Sequence, residues 1–193
     1  METHIDPRPS SQTQIPNQIS NASFEPGASV IYPMHGKCTV MGIENRQVGG
    51  KTVSFYRLEI QKSSFSRSQR QDPAIWVPVD SATDRGLRSP LSSEQAESVL
   101  QILSSRDYYF DLPDDWSKAS TTLEATIRQE GAHGLAKVLS YLHALKRKQV
   151  VSASATNKFY ETVQKILFRE LSEATGQGIR ELEGRISKGL HLK

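Results

Sequence analysis

The pattern of apolar and polar positions divides the chain into a polar tail, a strand-rich segment and a helical segment. Residues 1–23 are rich in Ser, Gln, Asn and Pro and hold almost no large apolar side chains. They cannot bury enough surface to offset the entropy lost on ordering, so we expect a disordered tail.

Residues 24–90 are predicted to form a small β domain. Short runs rich in Val, Ile, Tyr and Phe alternate with turn sequences such as Pro33-Met34-His35-Gly36 and Val48-Gly49-Gly50. The predicted strands are Ala28–Tyr32, Lys37–Glu44, Thr52–Ile60 and Ile75–Val79. Because a flat sheet of this size would expose its edges, we expect four or five antiparallel strands to close into a barrel. Residues 62–73 are predicted to be a long polar loop.

From residue 91 onwards, apolar residues recur at helical spacing, which predicts four or five short helices. The first helix begins at a capping box formed by Ser92 and Gln95. Further helices are expected over about 117–129, 134–148 and 153–174, followed by a last amphipathic helix. Helices with one apolar stripe bury it against each other. The predicted fold class is therefore α+β, with a small N-terminal β-barrel followed by a compact all-α domain over residues 91–193.

Positive charge is concentrated in the middle of the helical segment, between residues 116 and 169. The whole chain has a net charge of +3, whereas residues 116–169 hold nine Lys and Arg against three Glu, a net charge of +6. A local basic domain suits a polyanion such as DNA. A solvated helical surface explains the same charge equally well.

The sequence lacks the usual patterns of catalysis and metal binding. It contains no GxxxxGK[ST], GxSxG or HExxH motif. The single cysteine, Cys38, excludes an internal disulfide and a Cys-based zinc cluster, and the five histidines lack metal-ligand spacing. No apolar run approaches the ~20 residues that span a bilayer. We therefore expect a cytoplasmic protein that is not an enzyme and has no cofactor and no membrane contact. We also expect a monomer, because no heptad pattern persists.

Two side chains each allow two interpretations. Trp116 lies between the acidic turn Pro113-Asp114-Asp115 and a basic helix. It is either a hydrophobic staple that packs back on its own helix or an exposed wedge at a DNA groove. Arg46 is either a plain surface arginine or part of a half-solvated hairpin edge that accepts a strand from another protein.

A series of short motifs runs through both predicted domains. In chain order they are Phe24-Glu25-Pro26-Gly27, Val30-Ile31-Tyr32-Pro33, His35-Gly36, Ile43-Glu44, Val77-Pro78-Val79, Gly86-Leu87-Arg88, Asp115-Trp116-Ser117 and the stretch 166–174, ILFRELSEA. Together they resemble the CarD/CdnL family of bacterial transcription regulators, over roughly residues 24–174. The resemblance implies a Tudor-like barrel that binds the β subunit of RNA polymerase. It also implies a helical domain that contacts promoter DNA just upstream of the melted region.

The resemblance further implies roles for individual residues. Arg46 falls where the family places an arginine that contacts polymerase, and Trp76 stands where some members have a second one. Arg57, on the solvated face of the third predicted strand, is expected to join them. Trp116 falls where the family places the tryptophan that wedges into the minor groove, and Lys118 where a basic residue approaches the DNA backbone. Because residues 119–121 are less basic than in many members, we expect DNA contact either to be weaker or to shift to Arg128, Lys146, Arg147, Lys148 and Lys158.

The function implied by this resemblance is stabilisation of the open promoter complex. The barrel would anchor on RNA polymerase, while Trp116 holds the edge of the opened duplex. Through the polymerase, the protein would be associated with the nucleoid. The alternative is a protein–protein adaptor without direct DNA contact, in which Trp116 belongs to the core. An RNA-binding module is a third possibility. The strands argue against it, because they lack the paired surface aromatics of an RNA-recognition motif.

Overall fold

The computed structural model describes residues 24–61, 73–105, 108–148 and 154–191. Within these ranges a four-stranded antiparallel sheet precedes five α-helices, which confirms the predicted α+β class. The predicted tail, residues 1–23, and nearly all of the predicted loop, residues 62–73, lie outside the described residues.

The four strands pair with their neighbours in chain order. They are β1 (Ser29–Tyr32), β2 (Gly36–Val48), β3 (Lys51–Ile60) and β4 (Ile75–Pro78). The turn between β2 and β3 is Gly49-Gly50, with φ angles of 57° and 77°. Two consecutive residues with positive φ match the twist of a tight hairpin, which extends β2 four residues beyond the predicted end.

The sheet is open, and it is not clearly the closed barrel that the sequence predicted. Its edges are β1 and β4, and each has four residues. Edge strands this short leave few unpaired backbone groups, so closure is not needed to protect them. Beyond the sheet, an antiparallel bridge joins Ile31 to Arg88 and covers part of the β1 edge.

A β-bulge in β2 decides which side chains face outwards. Met41 is the extra residue, because Val40 and Gly42 pair with the consecutive residues Leu58 and Arg57. One extra residue moves every later side chain to the opposite face of the sheet. The even-numbered residues of β2 therefore face the core before the bulge and face outwards after it.

The helices follow the predicted order. They are α1 (Ser93–Ser105), α2 (Trp116–Glu130), α3 (Ala132–Arg147), α4 (Ser154–Thr175) and α5 (Ile179–His191). The predicted capping box is present: the Ser92 backbone N–H donates to Gln95 Oε1 at 3.0 Å, and the Gln95 N–H donates to Ser92 Oγ at 3.2 Å. In the part of the chain that the structure describes, no helix is long and apolar enough to cross a membrane.

Each half of the chain has its own hydrophobic core. The β domain buries Val30, Cys38, Val40, Tyr56, Leu58 and Val77 beneath the sheet. The helices bury a larger set that includes Leu123, Leu139, Val163, Leu167 and Leu171. Met34, in the turn between β1 and β2, packs against the helical core. The two domains therefore touch each other directly.

Candidate functional site

An arginine and a tryptophan stack on the outer face of the sheet. The guanidinium carbon of Arg46 lies 3.3 Å from the centre of the Trp76 ring, a cation–π contact. The Arg46 side chain nevertheless stays 46% exposed, whereas Trp76 is half-buried. The ring therefore supports the guanidinium from below and leaves it within reach of a partner.

Glu44 and Arg57 complete this group. Arg57 is the direct cross-strand neighbour of Trp76. Its Nη1 atom lies 3.6 Å from Glu44 Oε1, and Arg46 Nη2 lies 4.0 Å from Glu44 Oε2. Exposed ion pairs of this length contribute about 0–1 kcal/mol, so the stack on the ring does more than Glu44 to position Arg46. We call Glu44, Arg46, Arg57 and Trp76 the arginine–tryptophan platform.

The platform gathers all three residues that the sequence analysis assigned to polymerase binding. The sequence analysis assigned no role to Glu44, its fourth member. Strict alternation along β2 would place Glu44 and Arg46 on the same face as the buried Val40. The bulge at Met41 places them outside, and no pattern in the sequence reveals that bulge.

Trp116 is the first residue of α2 and is half-buried. Asp115 caps the helix, and its carboxylate accepts a hydrogen bond from the Lys118 backbone N–H at 3.0 Å. The Trp116 ring packs edge-to-face on Phe159 of α4, with ring centres 5.6 Å apart. Part of the indole thus packs against a neighbouring helix rather than against its own, while the rest stays at the surface.

Basic side chains surround the first turns of α4, where Trp116 also packs. Lys158 directly precedes Phe159 and is exposed. Lys146 places its Nζ atom 4.7 Å above the Tyr160 ring. The exposed residues Lys118, Arg147 and Lys148 lie at the neighbouring ends of α2 and α3. We call Lys118, Lys146, Arg147, Lys148 and Lys158, together with Trp116, the basic end of the helical domain.

Arg128 does not belong to this group. It follows Trp116 by twelve residues on α2, which is about 18 Å along a helix axis. A Cβ atom built on Gly86 would lie 3.0 Å from the Arg128 carbonyl oxygen and 3.1 Å from its Cγ. Arg128 therefore lies where the helical domain meets the β domain.

Two titratable groups of the β domain have shifted pKa values, Cys38 in its core and His35 in the turn before β2. Burial raises the pKa of the Cys38 thiol to about 11, which keeps it protonated and unreactive at neutral pH. Burial lowers the pKa of His35, which stacks on Tyr32. Among the described residues, no cluster of three or more His, Cys, Asp and Glu is placed to hold a metal.

A small sheet with an exposed cation–π platform, joined to a helical domain with a basic end, suits an interaction protein. Residues 24–89 match the CarD-like/TRCF RID domain family, so the chain carries a CarD-like RNA polymerase-interacting domain. This match confirms the resemblance that the motifs indicated. The domain is a non-enzymatic interaction module of transcription-associated proteins, and it implies an interaction with the polymerase β subunit. The match ends before the helical domain begins.

Proposed function

We propose that the protein binds RNA polymerase through its β domain, contacts promoter DNA through its helical domain, and stabilises the open complex. It would act in the cytoplasm, at the nucleoid. The observation that carries the proposal is the exposed arginine–tryptophan platform on a domain of the polymerase-interacting family.

The polymerase-binding half of the proposal rests on the geometry of the platform. A guanidinium can donate two parallel hydrogen bonds to one carboxylate. The stack on Trp76 orders Arg46 before the partner arrives, so less entropy is lost on binding. β4 lies at the edge of the sheet and can accept a strand from the partner by backbone hydrogen bonds. We therefore expect an acidic residue on or beside an exposed β-strand of the polymerase β subunit.

The DNA-binding half rests on the basic end. Its lysines and arginines would hold phosphates, and such contacts position a protein without reading sequence. The exposed part of Trp116 would lie against the minor groove at the edge of the opened duplex. Minor-groove proteins insert apolar side chains there, at a cost of a few kcal/mol for unstacking. Anchoring on polymerase raises the local concentration of this end at upstream DNA.

The test of the polymerase contact is a charge reversal, Arg46→Glu, measured by pull-down with purified RNA polymerase. Arg85→Glu is the matched control, because Arg85 is an exposed arginine of the same domain outside the platform. We expect Arg46→Glu to lose binding and Arg85→Glu to keep it. Equal retention of both variants would refute the role of the platform.

The packing of Trp116 on Phe159 favours one alternative, an adaptor that makes no DNA contact and keeps Trp116 as part of its core. In a Trp76→Phe background Trp116 is the remaining tryptophan, and its fluorescence reports on this site alone. The open-complex proposal predicts that acrylamide quenches this fluorescence and that a forked promoter duplex protects it. An indole that neither acrylamide nor DNA affects would support the adaptor.

A further inference from the structure

Three sequence motifs have no role in the platform or in the basic end. They are the turn Tyr32–Gly36, the Gly86-Leu87-Arg88 element and the 166–174 stretch on α4. The structure brings all three together where the two domains meet. Residues in and beside these motifs form a set of charged and polar contacts between the β domain and α4.

The first of these contacts is a buried ion pair. Arg88 Nη1 donates to Glu170 Oε1 at 2.5 Å, and Arg88 Nη2 donates to Glu170 Oε2 at 2.8 Å. The Leu91 backbone N–H also donates to Glu170 Oε1, at 3.1 Å. The Glu170 side chain is only 3% exposed. A carboxylate removed from water needs such partners. The charged partner, Arg88, comes from the β domain.

The second contact lies nearer the surface. Lys37 of β2 donates to Glu173 Oε2 at 2.6 Å, and Arg169 donates to Glu173 Oε1 at 3.2 Å. Arg169 also donates to the carbonyl oxygen of Gln61, at the end of β3, at 2.7 Å. Two strands of the sheet are thus tied to one helix. We call Arg88–Glu170 and the Lys37–Glu173–Arg169–Gln61 group the domain latch.

Two glycines allow the domains to approach this closely. A Cβ atom on Gly86 would lie 3.0 Å from the Arg128 carbonyl oxygen, and one on Gly131 would lie 2.9 Å from Arg88 Nε. Both glycines have positive φ, 83° and 60°. The two domains therefore approach each other closely at these two glycines, beside Arg88.

We infer that the domain latch fixes the arginine–tryptophan platform relative to the basic end, so that the protein is a rigid bridge between its two partners. This inference rests on the proposed function and deepens it. A flexible tether would only raise the local concentration of Trp116 near DNA. A rigid bridge also fixes where Trp116 meets the duplex, so binding energy is not lost in ordering the domains. Glu170 and Glu173 are then positioning residues, although they touch neither partner.

The test uses Glu170→Gln and Glu173→Gln in the full chain, with Glu130→Gln as matched control. Glu130 pairs with Lys137 at 2.6 Å, the same distance as Lys37–Glu173, but both residues of this pair lie in the helical domain. Its side chain is 40% exposed, against 39% for Glu173. Spin labels on Lys51→Cys and Glu124→Cys, both exposed positions, report the distance between the domains. Cys38 is buried and has a raised pKa, so it does not compete for the label.

We expect a narrow distance distribution in the parent and in Glu130→Gln, and broader ones in Glu173→Gln and, most of all, Glu170→Gln. Polymerase binding should stay unchanged in all three variants. Open-complex lifetime should fall at least about tenfold in Glu170→Gln, since linked binding gains about 100-fold or more only when the geometry fits.

Each result that differs from these expectations contradicts a different part of the proposal. Unchanged distance distributions in both latch variants would overturn the latch itself. Broader distributions with an unchanged open-complex lifetime would overturn the rigid bridge. A parent protein that does not extend the lifetime would refute the proposed function, while the spin-label distances would still decide whether the latch exists. Glu173→Gln changes a surface residue, so a folded latch variant remains if Glu170→Gln does not fold.

Discussion

Trp76 replaces a charge that the resemblance leads one to expect, and the structure gives a physical account of the difference. Some family members are expected to carry a second arginine at this position. Here the aromatic ring lies beneath Arg46 and holds its guanidinium 3.3 Å from the ring centre. The ring therefore orders the Arg46 cation, which a second arginine at position 76 would instead repel.

This account predicts that Trp76→Ala weakens binding to the polymerase β subunit by about three- to thirtyfold, the range expected for losing a cation–π contact. Trp76→Phe should keep most of the affinity because it retains a ring. Calorimetric titration against a purified β-subunit fragment measures both variants. If Trp76→Ala bound as tightly as the parent, the ring would have no part in positioning Arg46.

A second prediction at the residue scale concerns Gly86 and the stability of the fold. Its φ of 83° is strained for any residue with a Cβ atom, and that atom would collide with Pro33. Gly86→Ala should therefore lower the free energy of unfolding by about 1–3 kcal/mol. Gly184 lies within α5 with open space around it, so Gly184→Ala should raise that free energy by up to about 1 kcal/mol. Urea unfolding of the two variants should give shifts of opposite sign, and equal shifts would contradict this view of the interface.

At the scale of elements, the contact between β2 and α4 should depend on pH. Burial alone would raise the pKa of Glu173, but hydrogen bonds and charges from Lys37 and Arg169 outweigh it, and the pKa lies below its ordinary value. A lowered pKa in the folded state gives stability that is present above the ordinary carboxyl pKa. That stability is lost as the pH falls through the lowered value.

Glu173→Gln should therefore be less stable than the parent near neutral pH. The difference in unfolding free energy should shrink below about pH 4, where the parent carboxylate takes up a proton and becomes uncharged like the glutamine. Urea unfolding of both proteins at several pH values between neutral and acidic measures this. A difference in unfolding free energy that stays constant over the whole range would show that the charge on Glu173 does not hold the contact.

The elements also show how far sequence carries a prediction. Helix boundaries depend on local rules, such as the Asp115 cap and the break at Gly131, and the predicted span of 117–129 became Trp116–Glu130. The platform depends on the pairing of three strands and on the bulge at Met41. Motif resemblance placed Arg46 and Trp76 at one site, but alternation alone could not place them on one face.

The domain interface was harder still to foresee. Arg88 and Glu170 are 82 residues apart, and each lay in a motif to which no role could be given. Glu170 lies on the apolar side of α4, where an amphipathic helix normally has a hydrophobic residue. Its position is explained only once its partner is known. Burial of the Glu170 carboxylate, at 3% exposure, makes sense only with the guanidinium of the other domain in place.

For the whole molecule, the two proposed contact regions lie on different domains, and the contacts of the domain latch join those domains. Excess positive charge lies in one part of the helical segment, residues 116–169, which holds nine Lys and Arg against three Glu. DNA binding should therefore weaken steeply with salt, through release of counterions from the phosphates. The platform supplies the anchor on polymerase, and the latch would transmit its position to Trp116.

The lifetime of open promoter complexes tests the central claim most directly. It is measured with RNA polymerase and a competitor that traps released enzyme, in the presence of the parent protein, Arg46→Glu or Trp116→Ala. We predict that the parent lengthens the lifetime, that Arg46→Glu does so little because it does not bind polymerase, and that Trp116→Ala binds polymerase but does not lengthen it. A Trp116→Ala protein that stabilises open complexes as well as the parent would contradict the account.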